Sequence, residues 1–243
     1  MTTRLTSLLI LPIIFLAGCS TILSTRETPV NTHDLEEMIV RFDTAHVGTA
    51  GEVSSGTGFF FESSMTVVSA AHVFPSHQTG SIVTGETGEG RASFRIVALD
   101  RSRDMALLQP ENRKSLAYLT SAENWSAGES VLVAGYPTHV PGYSGLYLTG
   151  GILSSTRLIE VSSNTSTYHL LPTDAFATVG NSGGPVLNAK RNVIGMVQAV
   201  VSRTAPYEGA TLFVPVDQIQ AFLEEHTETR PFSYLEGENR TNP

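Results

Sequence analysis

The chain has 243 residues, enough for one large or two small domains, with 41% hydrophobic and 16% charged. That balance fits a globular protein with a substantial core. A net charge of −8 argues against general nucleic-acid binding, which leans on basic patches.

The first residues read as a targeting segment and not as part of a fold. Met1 to Thr6 carries one positive charge, at Arg4, and Ser7 to Ala17 is mostly apolar. This stretch is too short for a spanning helix and has the make-up of a secretory signal. It ends in Leu16-Ala17-Gly18-Cys19, which resembles the lipobox of bacterial lipoproteins. The resemblance implies cleavage after residue 18 and a lipidated Cys19 as the new first residue. The competing reading is an ordinary cleavable signal with a chance cysteine. Cys19 is the single cysteine of the chain, so no intramolecular disulfide is possible. Ser20 follows it. By resemblance to Gram-negative lipoproteins, a non-aspartate there implies a lipid-anchored envelope protein in the outer membrane, facing the periplasm. The chain then divides into a signal at 1–18, a polar tether at 19–35, a folded region at 36–226 and a polar tail at 227–243.

Within the folded region, short apolar runs recur between turn residues. Met38 to Phe42 reads as a first strand. Ser54 to Phe61 turns on Gly56 and Gly58 into Phe59-Phe60-Phe61, which are expected as strand residues in a core and not as a lipid-contacting wedge. Met65–Ser69, Ser81–Thr84, Ser93–Leu99 and Met105–Gln109 follow as strands, with Gly85 to Gly90 as a hairpin tip. Such spacing indicates an all-β barrel or sandwich. Pro110 to Trp125 is polar and reads as a connection. Ser130 to Pro137 opens a second set, with further strands at Gly150–Thr156, Arg157–Ser162, Tyr168–Leu171 and Val193–Val200. His139 falls in the Thr138–Gly145 loop and is expected in solvent. Asp217 and Gln220 fit an N-terminal helix cap, and Ile219, Phe222 and Leu223 fall on one face.

Three stretches carry chemistry. Gly180-Asn181-Ser182-Gly183-Gly184-Pro185 sets a serine among glycines, which let the backbone bend sharply. Such a turn can present the Ser182 hydroxyl and aim the Gly180 and Ser182 amides at one point, where acyl transfer develops negative charge. Its plain alternative is a glycine-rich hairpin with an incidental serine. His72 ends the run Val67-Val68-Ser69-Ala70-Ala71-His72 and is either a base or a satisfied structural histidine. Asp104 heads the apolar run Met105 to Leu108. An acid there needs a partner, because an unpaired buried carboxylate is costly; the alternatives are a strand-end cap or a partner for Arg103.

Together these stretches resemble the chymotrypsin-like serine proteases, and most closely the bacterial HtrA-type and glutamyl endopeptidase branches. The match runs in order through Ser55 to Phe60, Ser69 to His72, Arg103 to Leu108, Gly150 to Ser154 and Gly180 to Pro185. The His, Asp, Ser order is that of this family. The resemblance implies two six-stranded antiparallel β-barrels, at about 36–115 and 126–226, with a C-terminal α-helix. It implies a serine endopeptidase with His72, Asp104 and Ser182 as catalytic triad and the Gly180 and Ser182 amides as oxyanion hole, acting on proteins or peptides. No metal or cofactor is expected. The S1 pocket would lie between Ala177-Thr178-Val179 and Val197-Gln198-Ala199, favouring small or medium apolar P1 residues. Asp174 stands too early to select basic residues and is expected to be structural. Asn181 stands where digestive relatives carry an acid, so no zymogen cleavage is expected. The 227–243 tail is too short for the PDZ domain usual in HtrA-type enzymes. Two other functions compete: a catalytically silent binding or chaperone-like protein on the same scaffold, and a structural envelope lipoprotein.

Overall fold

The computed structural model describes residues 32–45, 53–112, 117–138, 144–162, 166–200 and 209–227. Helix α1 (Thr32–Met38) leads directly into strand β1 (Ile39–Ala45). Sequence periodicity does not reveal this helix, which spans the last four residues assigned to the tether and the first three of the folded region, including Met38 of the expected first strand. It is a seven-residue helix with one buried residue, Leu35, too short for a repeating apolar face. It is held instead by tertiary contact: the Gly88 amide donates to the Glu36 carbonyl at 2.8 Å.

Strands β2 (Val53–Phe60), β3 (Val67–Ala70), β4 (Ile82–Thr87), β5 (Gly90–Asp100) and β6 (Met105–Pro110) join β1 in a closed barrel of order β1-β2-β3-β6-β5-β4. Alternation sets the inner face, with Phe94, Ile96 and Ala98 of β5 buried and their neighbours partly exposed. Phe59, Phe60 and Phe61 are at most 1% exposed, which excludes the lipid-wedge reading. Phe42 sits edge-on to Phe74 and Phe94, with ring centroids 5.1 and 5.4 Å away. The hairpin tip expected over Gly85–Gly90 is narrower, because Thr87 still pairs with Gly90 and only Gly88 and Glu89 turn.

Strands β7 (Ser130–Gly135), β8 (Tyr147–Ile152), β9 (Ile159–Ser162), β10 (Thr167–Thr173), β11 (Pro185–Asn188), β12 (Val193–Val200) and β13 (Thr211–Pro215) form a seven-stranded sheet of order β8-β7-β11-β12-β13-β10-β9. A bridge between Leu153 and Thr173 joins the end of β8 back to β10. The second unit is therefore a curled sheet of six strands with β9 added as the hairpin partner of β10. Strand β13 is wholly buried and runs without a break into helix α2 (Val216–Thr227), so no turn residue marks its end in the sequence.

On α2, Ile219, Phe222 and Leu223 are buried as their spacing requires. The cap differs from expectation. The helix starts one residue before Asp217, whose Oδ1 accepts from the Gln218 amide, and Gln220 reaches Ser121 Oγ instead of the helix start. None of the described helices is long and apolar enough to cross a membrane.

Candidate active site

Strand register places His72 beside Asp104. In the β3–β6 pair, Ala70 lies opposite Met105. The single 3₁₀ turn Ala71–Val73 follows β3, and the Ala71 amide donates to the Asp104 carbonyl at 3.2 Å. His72 and Asp104 then meet at two points. The His72 backbone amide donates to Asp104 Oδ1 at 2.8 Å, and His72 Nδ1 lies 2.7 Å from Asp104 Oδ2. A carboxylate acceptor at Nδ1 fixes the tautomer with its proton there and leaves Nε2 as the basic nitrogen. The Asp104 side chain is 11% exposed and that of His72 is 47% exposed, so the acid is enclosed while the imidazole reaches the surface.

Asp104 adopts φ 55°, left-handed backbone that few residues other than glycine enter. Such a conformation costs about 1–3 kcal/mol and persists only where its surroundings hold it. The surroundings here are the turn between β5 and β6. Asp100 Oδ1 accepts from the amides of Ser102 and Arg103, and its Oδ2 accepts from Arg103 Nε. Burial raises the Asp100 carboxyl pKa, but the hydrogen bonds from Ser102 and Arg103 outweigh it and hold the group down to about 2. Arg103 pairs with Asp100 and with Glu225 of α2, and not with Asp104, which removes that alternative.

Ser182 comes from the second unit, on the turn before β11. Two bonds tie this turn to the first barrel, and a third ties the residue after β7 to the same threonine. The Thr57 amide donates to the Ser182 carbonyl at 2.8 Å, Thr57 Oγ1 donates to the Gly180 carbonyl at 2.7 Å, and the Tyr136 amide donates to Thr57 Oγ1 at 3.0 Å. Gly183, at φ 82°, packs so closely on the Thr57 carbonyl, Ser69 Oγ and the Ala70 amide that any Cβ would collide with them. The Ser182 turn thus abuts the end of β3, two residues before His72. Among the described residues, Ser182 Oγ makes no hydrogen bond to His72. Nucleophile–base hydrogen bonds are often long in free enzymes and tighten on binding.

The turn Thr178–Asn181 closes through a 2.9 Å bond from the Asn181 amide to the Thr178 carbonyl, with Gly180 at φ 99°, as a type II turn requires. The Val179 carbonyl accepts from the Thr138 amide at 3.0 Å, and the Asn181 carbonyl accepts from the Gly184 amide at 2.9 Å. In a planar trans peptide the N–H points opposite to the C=O. The Gly180 N–H therefore faces away from Thr138, and the Ser182 N–H faces away from Gly184. Neither donates to any acceptor among the described residues.

The S1 candidates divide. Ala177 and Val197 are buried at 1% and 0% exposure. Val197 exchanges both backbone bonds with the nucleophile turn, donating to the Gly184 carbonyl and accepting from the Gly183 amide, each at 2.8 Å. Thr178 is half-buried beside the turn. Gln198 sits where the β12–β13 register shifts, is 6% exposed, and among the described residues has no partner for either end of its carboxamide. Ala199 continues β12, and its side chain lies outside the described residues. Asp174 Oδ1 accepts from the Ile152 amide at 2.6 Å, the structural role expected of it. Cys19 and His139 lie outside the described residues. Among those described, no group of three His, Cys, Asp or Glu is placed to hold a metal. Sequence reasoning assigns no role to Thr57 and Ser69, although Thr57 binds the Ser182 turn and Ser69 binds Thr57; hydroxyl residues are ordinary in strands, and only these partners give them a task. Arg101 is a further omission. Its Nη2 reaches the carbonyls of Phe74, Pro75 and His77, pinning the loop after His72 to the turn that carries Asp104.

Comparison with known proteins agrees with this architecture. MamE, a magnetosome formation protease of Paramagnetospirillum magneticum, is 26% identical over 196 residues, covering 79% of this chain and 26% of the relative. Mouse serine protease HTRA4 is 30% identical over 179 residues, covering 72% of this chain and 35% of the relative. The chain thus spans well under half the length of these relatives. In fold, it resembles the active form of the Rv3671c protease from M. tuberculosis, with a TM-score of 0.66 at 23% identity over 82% of this chain and 84% of that one. It also resembles the HtrA-type protease AlgW bound to a tripeptide, with a TM-score of 0.66 at 21% identity over 80% of this chain and 62% of that one. Residues 56–196 match the family model of the trypsin-like peptidase domain, and the chain belongs to that family.

Proposed function

We propose that the chain is a serine endopeptidase that works through an acyl-enzyme. The observation that carries this reading is the two-point contact of Asp104 with His72, set beside a serine turn with two undonated amides. Ser182 Oγ attacks the peptide carbonyl carbon while His72 Nε2 takes its proton. The carbonyl oxygen becomes the oxyanion and accepts from the Gly180 and Ser182 amides. Each such donor contributes about 3 kcal/mol to the transition state. His72 then gives the proton to the leaving amine. Water, deprotonated by the same nitrogen, hydrolyses the ester and restores Ser182. Asp104 holds the tautomer throughout and stabilises the imidazolium without taking its proton. By resemblance the S1 walls are Ala177-Thr178-Val179 and Val197-Gln198-Ala199, which suit a small or medium apolar P1 side chain, and no acid stands among them to select Lys or Arg.

The test is reaction of the protein with a fluorophosphonate probe, alongside cleavage of a peptide library. Labelling and cleavage that both vanish in Ser182→Ala support the reading. No labelling under any condition would favour a catalytically silent binding protein on this scaffold, and strong cleavage after Lys or Arg would overturn the P1 assignment.

The same reading places the enzyme on the bacterial envelope through a lipid at Cys19. It rests on the Leu16-Ala17-Gly18-Cys19 sequence, and several acyl chains would anchor the protein durably at about 0.8 kcal/mol per buried CH₂. Metabolic incorporation of an alkynyl fatty acid should be lost in Cys19→Ala. Incorporation that survives the substitution would rule out this anchor.

A further inference from the structure

The run Asp100-Arg101-Ser102-Arg103-Asp104 forms the connection between β5 and β6, and its two arginines point to opposite supports. Arg101 holds the loop that follows His72. Arg103 is gripped on three sides. Its Nε donates to Asp100 Oδ2 at 2.6 Å, and its Nη1 and Nη2 donate to Glu225 Oε1 and Oε2 at 2.9 and 2.6 Å. Its guanidinium carbon lies 5.1 Å from the centre of the Phe222 ring. Both the backbone and the side chain of Arg103 are thereby fixed, the first to Asp100 and the second to α2. The next residue is Asp104, whose φ of 55° is left-handed backbone, which aspartate enters at a cost.

We propose that Arg103 and Glu225 are positioning residues, their forked ion pair fixing the backbone from which Asp104 orients His72. The proposal rests on the triad reading above and extends it to the C-terminal helix. Stability alone does not account for the arrangement, since surface ion pairs contribute little to it, and the Glu225 side chain is 52% exposed. Geometry does. A planar guanidinium bound along two edges and stacked on a ring has little freedom left, and lysine cannot reproduce that fork. Asp104 needs this rigidity because its two oxygens must meet two donors of one residue, the amide and Nδ1 of His72. A small rotation of the turn loses one of them. The helix carrying Glu225 is in turn locked to the molecule by Ile219 and Phe222, so packing at the C-terminus is transmitted to the imidazole through a short rigid path.

The experiment compares wild type with Glu225→Gln and Arg103→Lys. Arg95→Ala is the control, because it breaks an ion pair of similar length, 2.9 Å to Glu111, away from the turn. The extent of fluorophosphonate labelling after long reaction counts folded molecules, and its rate reports the triad. Both variants are expected to label to the wild-type extent but at least tenfold more slowly. Peptide kcat should fall while KM stays within twofold, and the low-field proton NMR signal of His72 Nδ1–H should broaden or move upfield. Arg95→Ala should match wild type. The double variant should cost no more than the slower single variant. Rates per labelled molecule within twofold of wild type, with an unchanged low-field signal, would overturn the proposal. If the wild type does not label at all, the peptidase reading fails, and the low-field signal alone decides. A change in both variants upholds the positioning role, and no change overturns it.

Discussion

Asp104 has two acceptor oxygens and two donors to meet, both from His72. That demand separates aspartate from its closest isostere. In Asp104→Asn one end of the side chain becomes a donor. If the carbonyl end keeps the His72 amide, the NH₂ faces Nδ1 and forces the proton to Nε2, the wrong tautomer for a base. In enzymes with this triad such a swap costs about 10⁴-fold in kcat. A loss near that size is expected in peptide hydrolysis, with binding of peptide product little changed; a loss below tenfold would mean that Asp104 does not set the tautomer. Thr57 makes a comparable double contact, donating to the Gly180 carbonyl and accepting from the Tyr136 amide. Thr57→Val leaves both groups buried without that partner, at about 1–3 kcal/mol each, and loosens the turn that presents the Gly180 amide. Denaturant unfolding should show lower stability, and kcat should fall further than the loss of folded protein explains. His72 and Asp104 were legible as candidates because each stands at an end of an apolar run where its type is otherwise unexpected, and Ser182 because it sits among glycines. Thr57 was not, because a threonine in a strand is ordinary and only its partners from the second unit, Gly180 and Tyr136, give it a task.

At the scale of elements, register does the assembly. Pairing Ala70 with Met105 leaves Asp104 and His72 adjacent by construction, and the Ser182 turn is pressed onto β2 and β3 at Gly56, Thr57, Ser69 and Ala70. Gly183→Ala tests this fit. Its φ of 82° and its contacts with the Thr57 carbonyl and the Ala70 amide leave no room for a methyl group. Left-handed backbone and overpacking together cost about 2–4 kcal/mol. The urea midpoint should drop accordingly, and a midpoint equal to wild type would show that the turn is not held against β3. Strands with apolar runs between turn residues, such as Val67–Ala70 and Met105–Pro110, could be placed from sequence alone. Helix α1 and strand β13 could not. The first is one turn longer than a cap and owes its place to Leu35 and a bond from Gly88. The second passes straight into α2 without a break. The sheet closure between Leu153 and Thr173 was equally hidden, since the partners lie twenty residues apart in sequence and nothing in either stretch marks them as a pair.

At the scale of the whole molecule, acid should weaken the fold. The Asp100 carboxyl is held at about 2 when folded, below its ordinary 3.8. A folded value below the unfolded one gives stability that is complete above about pH 4 and is lost as pH falls toward 2. His77 acts in the same direction at higher pH. Burial, aided by the Arg101 charge, lowers its pKa, so the unfolded chain binds a proton more readily and stability declines as pH falls through the ordinary imidazole range. Urea midpoints at pH 7, 5 and 3 should therefore descend, and Arg103→Ala should flatten the slope between pH 4 and 2; a midpoint that rises on acidification would contradict both assignments. The candidate site draws its two halves from different β units. The central claim is that those halves form one catalytic centre, and its most direct measurement is a crystal structure of the fluorophosphonate adduct. The account predicts phosphorus bonded to Ser182 Oγ, one phosphoryl oxygen within about 2.7–3.1 Å of both the Gly180 and Ser182 amide nitrogens, and His72 Nε2 facing the serine oxygen while Nδ1 stays on Asp104. An adduct on another residue, or a phosphoryl oxygen turned away from both amides, would contradict it.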